Sequence, residues 1–161
     1  MASKFLTAAE LKTIRESCGL TVPDFASLVG VDERTLRYWE SGKTAPKTAD
    51  IYDLLLGVND RIEVCVAQAV QQVKAIIAAH GKPAEIALLR YRENADLWHY
   101  LPDWRPLPCT CHGAMLARTR SALADLHVAT KIVYLDVPRY VAWLNGRADN
   151  SALRAEWAGL Q

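Results

Sequence analysis

Two short amphipathic segments joined by a glycine turn constrain this chain more than any other feature. They lie between Leu20 and Lys43. Pro23 stands in the first turn of a predicted helix, where its missing N–H is not needed. Gly30 ends that helix, and Asp32 is a typical N-cap for the next. So short a connection predicts two helices that cross at a sharp angle.

Helices are also predicted on both sides of this pair. Thr7 and Glu10 form a capping-box pattern at the start of the first helix. The third helix covers residues 32–40, and apolar spacing predicts a fourth over Lys47–Leu56. Four short helices with short connections predict a small all-helical domain over residues 1–58.

The second half has a different pattern. Asn59 is placed to cap a long helix from Asp60 to about His80, with apolar residues at three–four spacing. The segments that follow are read as a strand over Glu85–Tyr91, an aromatic loop, a helix over Gly113–Leu126, a strand over Lys131–Asp136 and a helix from Pro138 to Leu144. A strand–helix–strand order favours a small buried parallel sheet. The fold class expected is therefore mainly α with a small β component (α+β), with a second domain over residues 59–161.

Charge excludes a uniformly basic nucleic-acid binder. The 161 residues carry a formal net charge of +1, and the first 58 hold seven Lys or Arg against eight Asp or Glu. A hydrophobic content of 51% is that of a globular protein and argues against disorder. Any surface that binds a polyanion must therefore be local.

Several other classes of protein are also not expected. Met1–Leu6 is too short and polar for a signal peptide, and no apolar run reaches the roughly 18–20 residues of a membrane span. The four cysteines follow no disulfide framework, so a cytoplasmic protein with reduced thiols is expected. There is no glycine-rich phosphate loop and no nucleophile elbow, so we expect no enzyme and no cofactor.

A zinc site is the one metal reading that the sequence invites. Cys109, Cys111 and His112 are clustered, with His99 or Cys65 as a fourth ligand. The one-residue spacing of the cysteines is tight for a structural zinc site, and a second ligand pair is missing. We therefore predict no metal, with an ordinary loop as the favoured reading.

The most specific stretch runs from Thr35 to Lys43, with Leu36 and Trp39 on one side of a helical wheel. Together with its flanking helices, it resembles the helix-turn-helix of the Xre/Cro-type, lambda-repressor-like family over residues 7–58. The resemblance implies a DNA-binding domain whose helix over residues 32–40 enters the major groove.

The resemblance places base contacts on the outward side of this helix, at Glu33, Arg34 and Tyr38. Arg34 suits a guanine, because its guanidinium matches the O6 and N7 acceptors bidentately. Glu33 is expected either to accept a hydrogen bond from a cytosine N4 or to orient Arg34. Tyr38 is expected to contact a base or to pack sideways.

Phosphate contacts and one structural pair follow from the same resemblance. Arg37, Lys43 and Lys47 look like phosphate contacts, with Thr44 as a hydroxyl donor and Thr21 at the N-terminus of the second helix. In the family an arginine of the first helix pairs with the glutamate that follows the tryptophan. The resemblance therefore implies a structural pair between Arg15 and Glu40.

The order of elements in the second half is similar to YdiL-like proteins and anti-CRISPR-associated repressors, which implies a dimerisation part. A lone two-stranded sheet is marginal in water, and a second copy would help to cover it; the alternative is one monomeric core. The expected function is a homodimeric repressor that binds double-stranded DNA at an inverted repeat. Two alternatives stay open: the antitoxin half of a toxin–antitoxin pair with a protein partner, and a regulator gated by a ligand near Trp98 and Trp104.

Overall fold

The computed structural model of the chain describes residues 5–161. Residues 1–4 lie outside the described residues. They belong to the predicted N-terminal domain and to Met1–Leu6, the segment that is predicted not to be a signal peptide. The elements in chain order are α1 Ala8–Ser17, α2 Val22–Val29, α3 Glu33–Glu40, α4 Asp50–His80, β1 Ile86–Arg90, α5 Asn94–Tyr100, a 3-10 turn Pro102–Trp104, α6 Cys109–Asp125, β2 Thr130–Tyr134, α7 Val137–Leu144 and α8 Ser151–Gly159. Helices with one small sheet confirm the α+β class.

The chain forms two compact units. The first runs to Cys65 and adds Pro106–Met115, and the second consists of Val66–Arg105 and Leu116–Gln161. The predicted domain boundary after residue 58 falls inside α4. The first unit also includes Pro106–Met115, a segment from the second half of the sequence. No local pattern in the sequence indicates this.

Local hydrogen bonds determine where the helices of the first unit begin. The Thr7 hydroxyl accepts from the Glu10 N–H at 3.1 Å, and the Glu10 carboxylate accepts from the Thr7 N–H at 2.8 Å. Thr21 and Asp24 form the same capping box at α2. Gly30 ends α2 with φ +71°, a left-handed conformation that favours glycine. The predictions of a capping box at Thr7 and Glu10 and of a helix that ends at Gly30 are confirmed.

The core of the first unit comes from the apolar sides of its helices. Leu11, Phe25, Leu36 and Leu55 are each at most 1% exposed. Ala26, a small residue of α2, is 2% exposed. These contacts hold α3 with its opposite side in solvent.

In the second unit β1 and β2 pair in parallel, with Leu88 opposite Ile132, as the strand–helix–strand order predicts. Val73, Leu123 and Val128 form a core cluster with partly buried neighbours that include Ile86. A second cluster is aromatic and consists of Tyr140 with Trp157 and Tyr100 packed against it. All five β1 residues remain half-buried, so the expectation of a fully buried sheet is wrong for this chain.

Several predicted helix boundaries are wrong. The fourth helix and the long helix are one helix, α4, which continues through Gly57 and Asn59. An internal glycine costs only about 1 kcal/mol relative to alanine, so the helix tolerates it. The helix predicted from Gly113 begins at Cys109, and the aromatic loop contains α5 and the 3-10 turn.

This continuous helix also changes the expectation about apolar runs. By length and composition α4 is able to cross a membrane. It contains an 18-residue stretch with a mean hydropathy of 1.3, and 17% of that stretch is buried. Polar residues such as Lys74 interrupt the run in sequence, which is why none of this length was expected. One such helix is weak evidence for a membrane span, because core helices of soluble proteins meet the same criteria.

Candidate nucleic-acid interface

The N-cap of α3 fixes the start of the predicted recognition helix. Asp32 Oδ1 accepts from the Thr35 N–H at 2.8 Å, and Oδ2 accepts from the Thr35 hydroxyl at 3.1 Å. These hydrogen bonds, led by the backbone N–H of Thr35, hold the pKa of Asp32 below its ordinary value. Leu36 and Trp39 are 0% and 9% exposed, so they anchor the inner side of the helix.

Two side-chain pairs occupy the outer side of α3. Arg37 Nη2 lies 3.0 Å from Glu33 Oε2, and these side chains are 62% and 49% exposed. Arg34 Nε donates to the Tyr38 hydroxyl at 2.8 Å. Both pairs have the i,i+4 spacing that brings side chains together on a helix. The three predicted base contacts therefore lie side by side with Arg37.

The turn after α3 brings a third cation to this side. The backbone N–H groups of Lys43 and Thr44 donate to the Tyr38 carbonyl at 3.0 and 3.2 Å. Gly42 makes the turn with φ +75°. As a result Lys43 Nζ lies 4.3 Å from the centroid of the Tyr38 ring, and Arg34 Cζ lies 5.3 Å from it. The sequence gives no sign of this arrangement, because it depends on the conformation of the turn.

The remaining predicted phosphate contacts differ in their surroundings. Lys47 and Thr44 are exposed. The Thr21 hydroxyl donates to Asp24 Oδ2 at 2.5 Å and accepts from the Asp24 N–H at 3.2 Å. A phosphate at Thr21 would thus have to displace a carboxylate that already occupies this helix N-terminus. The phosphate contact at Thr21 stays a prediction.

Arg15 and Glu40 lie in the interior of the first unit. Arg15 Nε is 2.5 Å from Glu40 Oε1 and Arg15 Nη2 is 3.1 Å from Oε2. Arg15 Nη1 also donates to the Leu20 carbonyl at 2.6 Å. This fork joins α1 to the end of α3, so it supports the interface without being part of it.

The other candidate sites do not assemble in the described residues. Within residues 5–161, no group of three or more His, Cys, Asp or Glu is placed to hold a metal ion. Burial raises the pKa of Cys111, near the start of α6, to about 12. Trp104 is buried, and Arg105 Cζ lies 5.3 Å from the centroid of the Trp98 ring.

A cavity that the sequence does not indicate lies beside the turn. It has a volume of about 330 Å³ and is lined by residues that include Leu11, Trp39, Thr44, Pro46 and Tyr52. Its walls are largely apolar, and Thr44, a predicted phosphate contact, is one of its lining residues.

Comparison with protein families identifies the same part of the chain. Residues 7–58 match the family model of a helix-turn-helix domain. The matched region contains α1, α2, α3 and the start of α4, which confirms the helix-turn-helix prediction. The chain has no match among the curated proteins. A helix-turn-helix domain of this kind typically binds DNA and is not catalytic.

Proposed function

We propose that the chain is a sequence-specific DNA-binding transcriptional regulator. The observation that carries this proposal is the outer side of α3. Within a matched helix-turn-helix domain it presents Arg34 and Arg37, and Lys43 lies at its end. A side like this suits the major groove, where the N-terminal part of the helix reaches the base edges.

In this proposal the charged residues have two roles, contact with bases and contact with phosphates. Arg34 reads a guanine, and Glu33 accepts from a cytosine N4 or orients its neighbour. Arg37, Lys43 and Lys47 neutralise phosphates and set the register on the duplex. The protein acts as a cytoplasmic repressor that occupies its operator and excludes polymerase, without a catalytic step.

We propose further that the regulator is a homodimer on an inverted repeat. Two features of the structure support this: the half-buried parallel sheet and the weakly buried apolar helix α4. The resemblance drawn from the sequence, to YdiL-like proteins and anti-CRISPR-associated repressors, implies the same. Two recognition helices would then read half-sites about one helical turn, roughly 34 Å, apart.

The proposed interface between copies lies on α4. The positions that follow a four–three spacing and are all exposed are Asp60, Val64, Ala67, Gln71, Lys74 and Ala78. An antiparallel pairing about Ala67 would bring Asp60 of one copy opposite Lys74 of the other. The small side chain at the centre permits a close approach, and the opposite charges make the surface self-complementary.

Selection of bound duplexes from a random DNA pool, sequenced at two salt concentrations, tests the proposal. We expect enrichment of an inverted repeat with one-turn spacing. Enrichment of a single asymmetric site would refute the homodimer. No enrichment at either salt concentration would refute sequence-specific binding and favour the protein-interaction alternative, an antitoxin-like module.

Variants of the enriched duplex and of the protein then test the base contact. Arg34→Ala is expected to weaken binding by about 1–3 kcal/mol and to relax the preference at one base pair. Arg120→Ala is the matched control, because Arg120 is an exposed arginine of α6, in the second unit. Binding that is unchanged by Arg34→Ala on cognate and scrambled duplexes would refute the assignment.

A further inference from the structure

The Tyr38 side chain contacts two cations at once. Its hydroxyl accepts from Arg34 Nε at 2.8 Å, and its ring lies under Lys43 Nζ at 4.3 Å from the centroid. Tyr38 itself is half-buried, whereas Arg34 and Lys43 are exposed. The more firmly placed residue therefore restrains two side chains that would otherwise sample many rotamers.

We propose that Tyr38 is a positioning residue that presents Arg34 to a guanine and Lys43 to a phosphate. The proposal rests on the proposed function, and it replaces the direct base contact that the sequence predicts for Tyr38. Its geometric basis is the pair of contacts made by the hydroxyl and the ring of one side chain.

The hydrogen-bond inventory of Arg34 explains why this contact suits recognition. A guanidinium has five N–H groups, and the hydrogen bond to Tyr38 uses only the one on Nε. The four N–H groups of the terminal nitrogens remain for the O6 and N7 acceptors of guanine. A guanidinium that is already oriented loses less freedom when it binds.

The ring has a separate effect on Lys43. An ammonium above an aromatic ring is attracted to the face of the ring. This contact does not require any of the three N–H groups of the ammonium to donate a hydrogen bond to the protein. Lys43 can therefore keep this contact and still donate to a phosphate. The hydroxyl and the ring thus act on different DNA contacts, and they can be removed separately.

Tyr38→Phe removes the hydroxyl and keeps the ring. The probe is the most enriched duplex, with 7-deazaguanine in place of the guanine whose preference Arg34→Ala relaxes, because this base lacks the N7 acceptor. We expect the wild-type protein to lose about tenfold or more in affinity for this probe. The loss should fall to about threefold in Tyr38→Phe and vanish in Arg34→Ala.

The matched control is Tyr134→Phe. Tyr134 is another tyrosine with an arginine over its ring, at 3.9 Å from Arg92 Cζ, but it is exposed and lies in β2. This control should keep the full loss of affinity on the 7-deazaguanine duplex. Tyr38→Leu removes the ring as well, and should lower the salt slope of binding by about one phosphate contact, whereas Tyr38→Phe should keep it.

The outcomes separate this inference from the proposed function. If Tyr38→Phe keeps the full 7-deazaguanine loss while Arg34→Ala abolishes it, Tyr38 does not position Arg34 and the regulator assignment stands. If Tyr38→Phe alters the preference at another base pair, Tyr38 reads a base directly and the inference is wrong. If Arg34→Ala also keeps the loss, the base contact of the proposed function fails instead.

A measurement on the free protein needs no operator. The ¹⁵N relaxation of Arg34 Nε reports how far the guanidinium moves on the ps–ns timescale. We expect its order parameter to be higher in the wild-type protein than in Tyr38→Phe, and unchanged in Tyr134→Phe. Equal order parameters in the wild-type protein and Tyr38→Phe would overturn the inference whatever the DNA experiments give.

Discussion

Removal of Arg15 gives the sharpest test of what holds the recognition helix in place. The Arg15 and Glu40 side chains are only 6% and 7% exposed, and they meet as a two-point fork between α1 and α3. Arg15 also donates to the Leu20 carbonyl at 2.6 Å. Replacing Arg15 with leucine therefore leaves a buried carboxylate and a buried carbonyl without their donor.

The magnitude follows from the carboxylate. Breaking a buried ion pair by removing one partner costs about 3–5 kcal/mol, because a charge stays buried without compensation. Arg15→Leu should therefore destabilise the first unit by at least about 3 kcal/mol. In Arg15→Leu with Glu40→Leu both charges are gone and only the Leu20 carbonyl lacks its donor, so about 1–3 kcal/mol is expected.

Hydrogen exchange of the full chain, followed by mass spectrometry of peptides from α1–α3, measures this difference locally. Each 1.4 kcal/mol is about tenfold, so the single variant should exchange roughly a hundredfold faster or more. Lys12→Leu, at an exposed position of α1, is the control and should stay within about 0.5 kcal/mol. A double variant that exchanges as fast as Arg15→Leu would refute the reasoning.

Three further variants test other contacts. Gly19→Ala should destabilise more than Gly30→Ala in urea unfolding, because both have φ near +70° but only the Cβ at Gly19 would meet a backbone oxygen, at 2.3 Å; equal losses would contradict this. Burial, then a hydrogen bond to an aspartate, raises the pKa of Tyr140 above the ordinary 10. The neutral form is thus favoured in the folded state, so wild-type stability should hold below pH 10 and fall above it, more steeply than in Tyr140→Phe; parallel urea-unfolding curves at pH 9–12 would exclude this cause. Asp60→Lys should dissociate the proposed dimer in analytical ultracentrifugation and Asp60→Lys with Lys74→Asp should restore it; an unchanged dimer in the single variant would place the interface elsewhere.

The helices of the N-terminal half could be predicted from sequence because they depend on local interactions. A capping box such as Thr7 with Glu10 needs only four consecutive residues, and the structure contains both hydrogen bonds. The inner position of Leu36 likewise follows from helical periodicity alone. Features of this kind fix the elements and the outward direction of α3.

Features that depend on residues far apart in the chain could not be predicted from the sequence. The backbone of Gly19 lies against the Thr110 carbonyl, and no local pattern links positions so far apart in the chain. The single helix α4 was divided because Gly57 and Asn59 resemble a stop and a cap, whereas tertiary packing overrides such weak propensities. The Tyr38–Lys43 contact is not predictable from sequence for a different reason: the two residues are close in the chain, but their contact depends on the conformation of the turn.

If the proposed function holds, the charges on the outer side of α3 explain how a nearly neutral domain would be selective for DNA sequence. Glu33 neutralises Arg37 in the free protein, at 3.0 Å, and lies on the side that would face DNA. At a random sequence its carboxylate would be repelled by phosphates and find no donor, so non-specific binding is weakened. At a site with a suitably placed cytosine the same carboxylate can accept from N4, and Arg37 is then free to move to a phosphate. In the proposed function this acidic residue would thus lower affinity everywhere except at the correct site, so specificity would come from the difference between two affinities and not from a large positive charge.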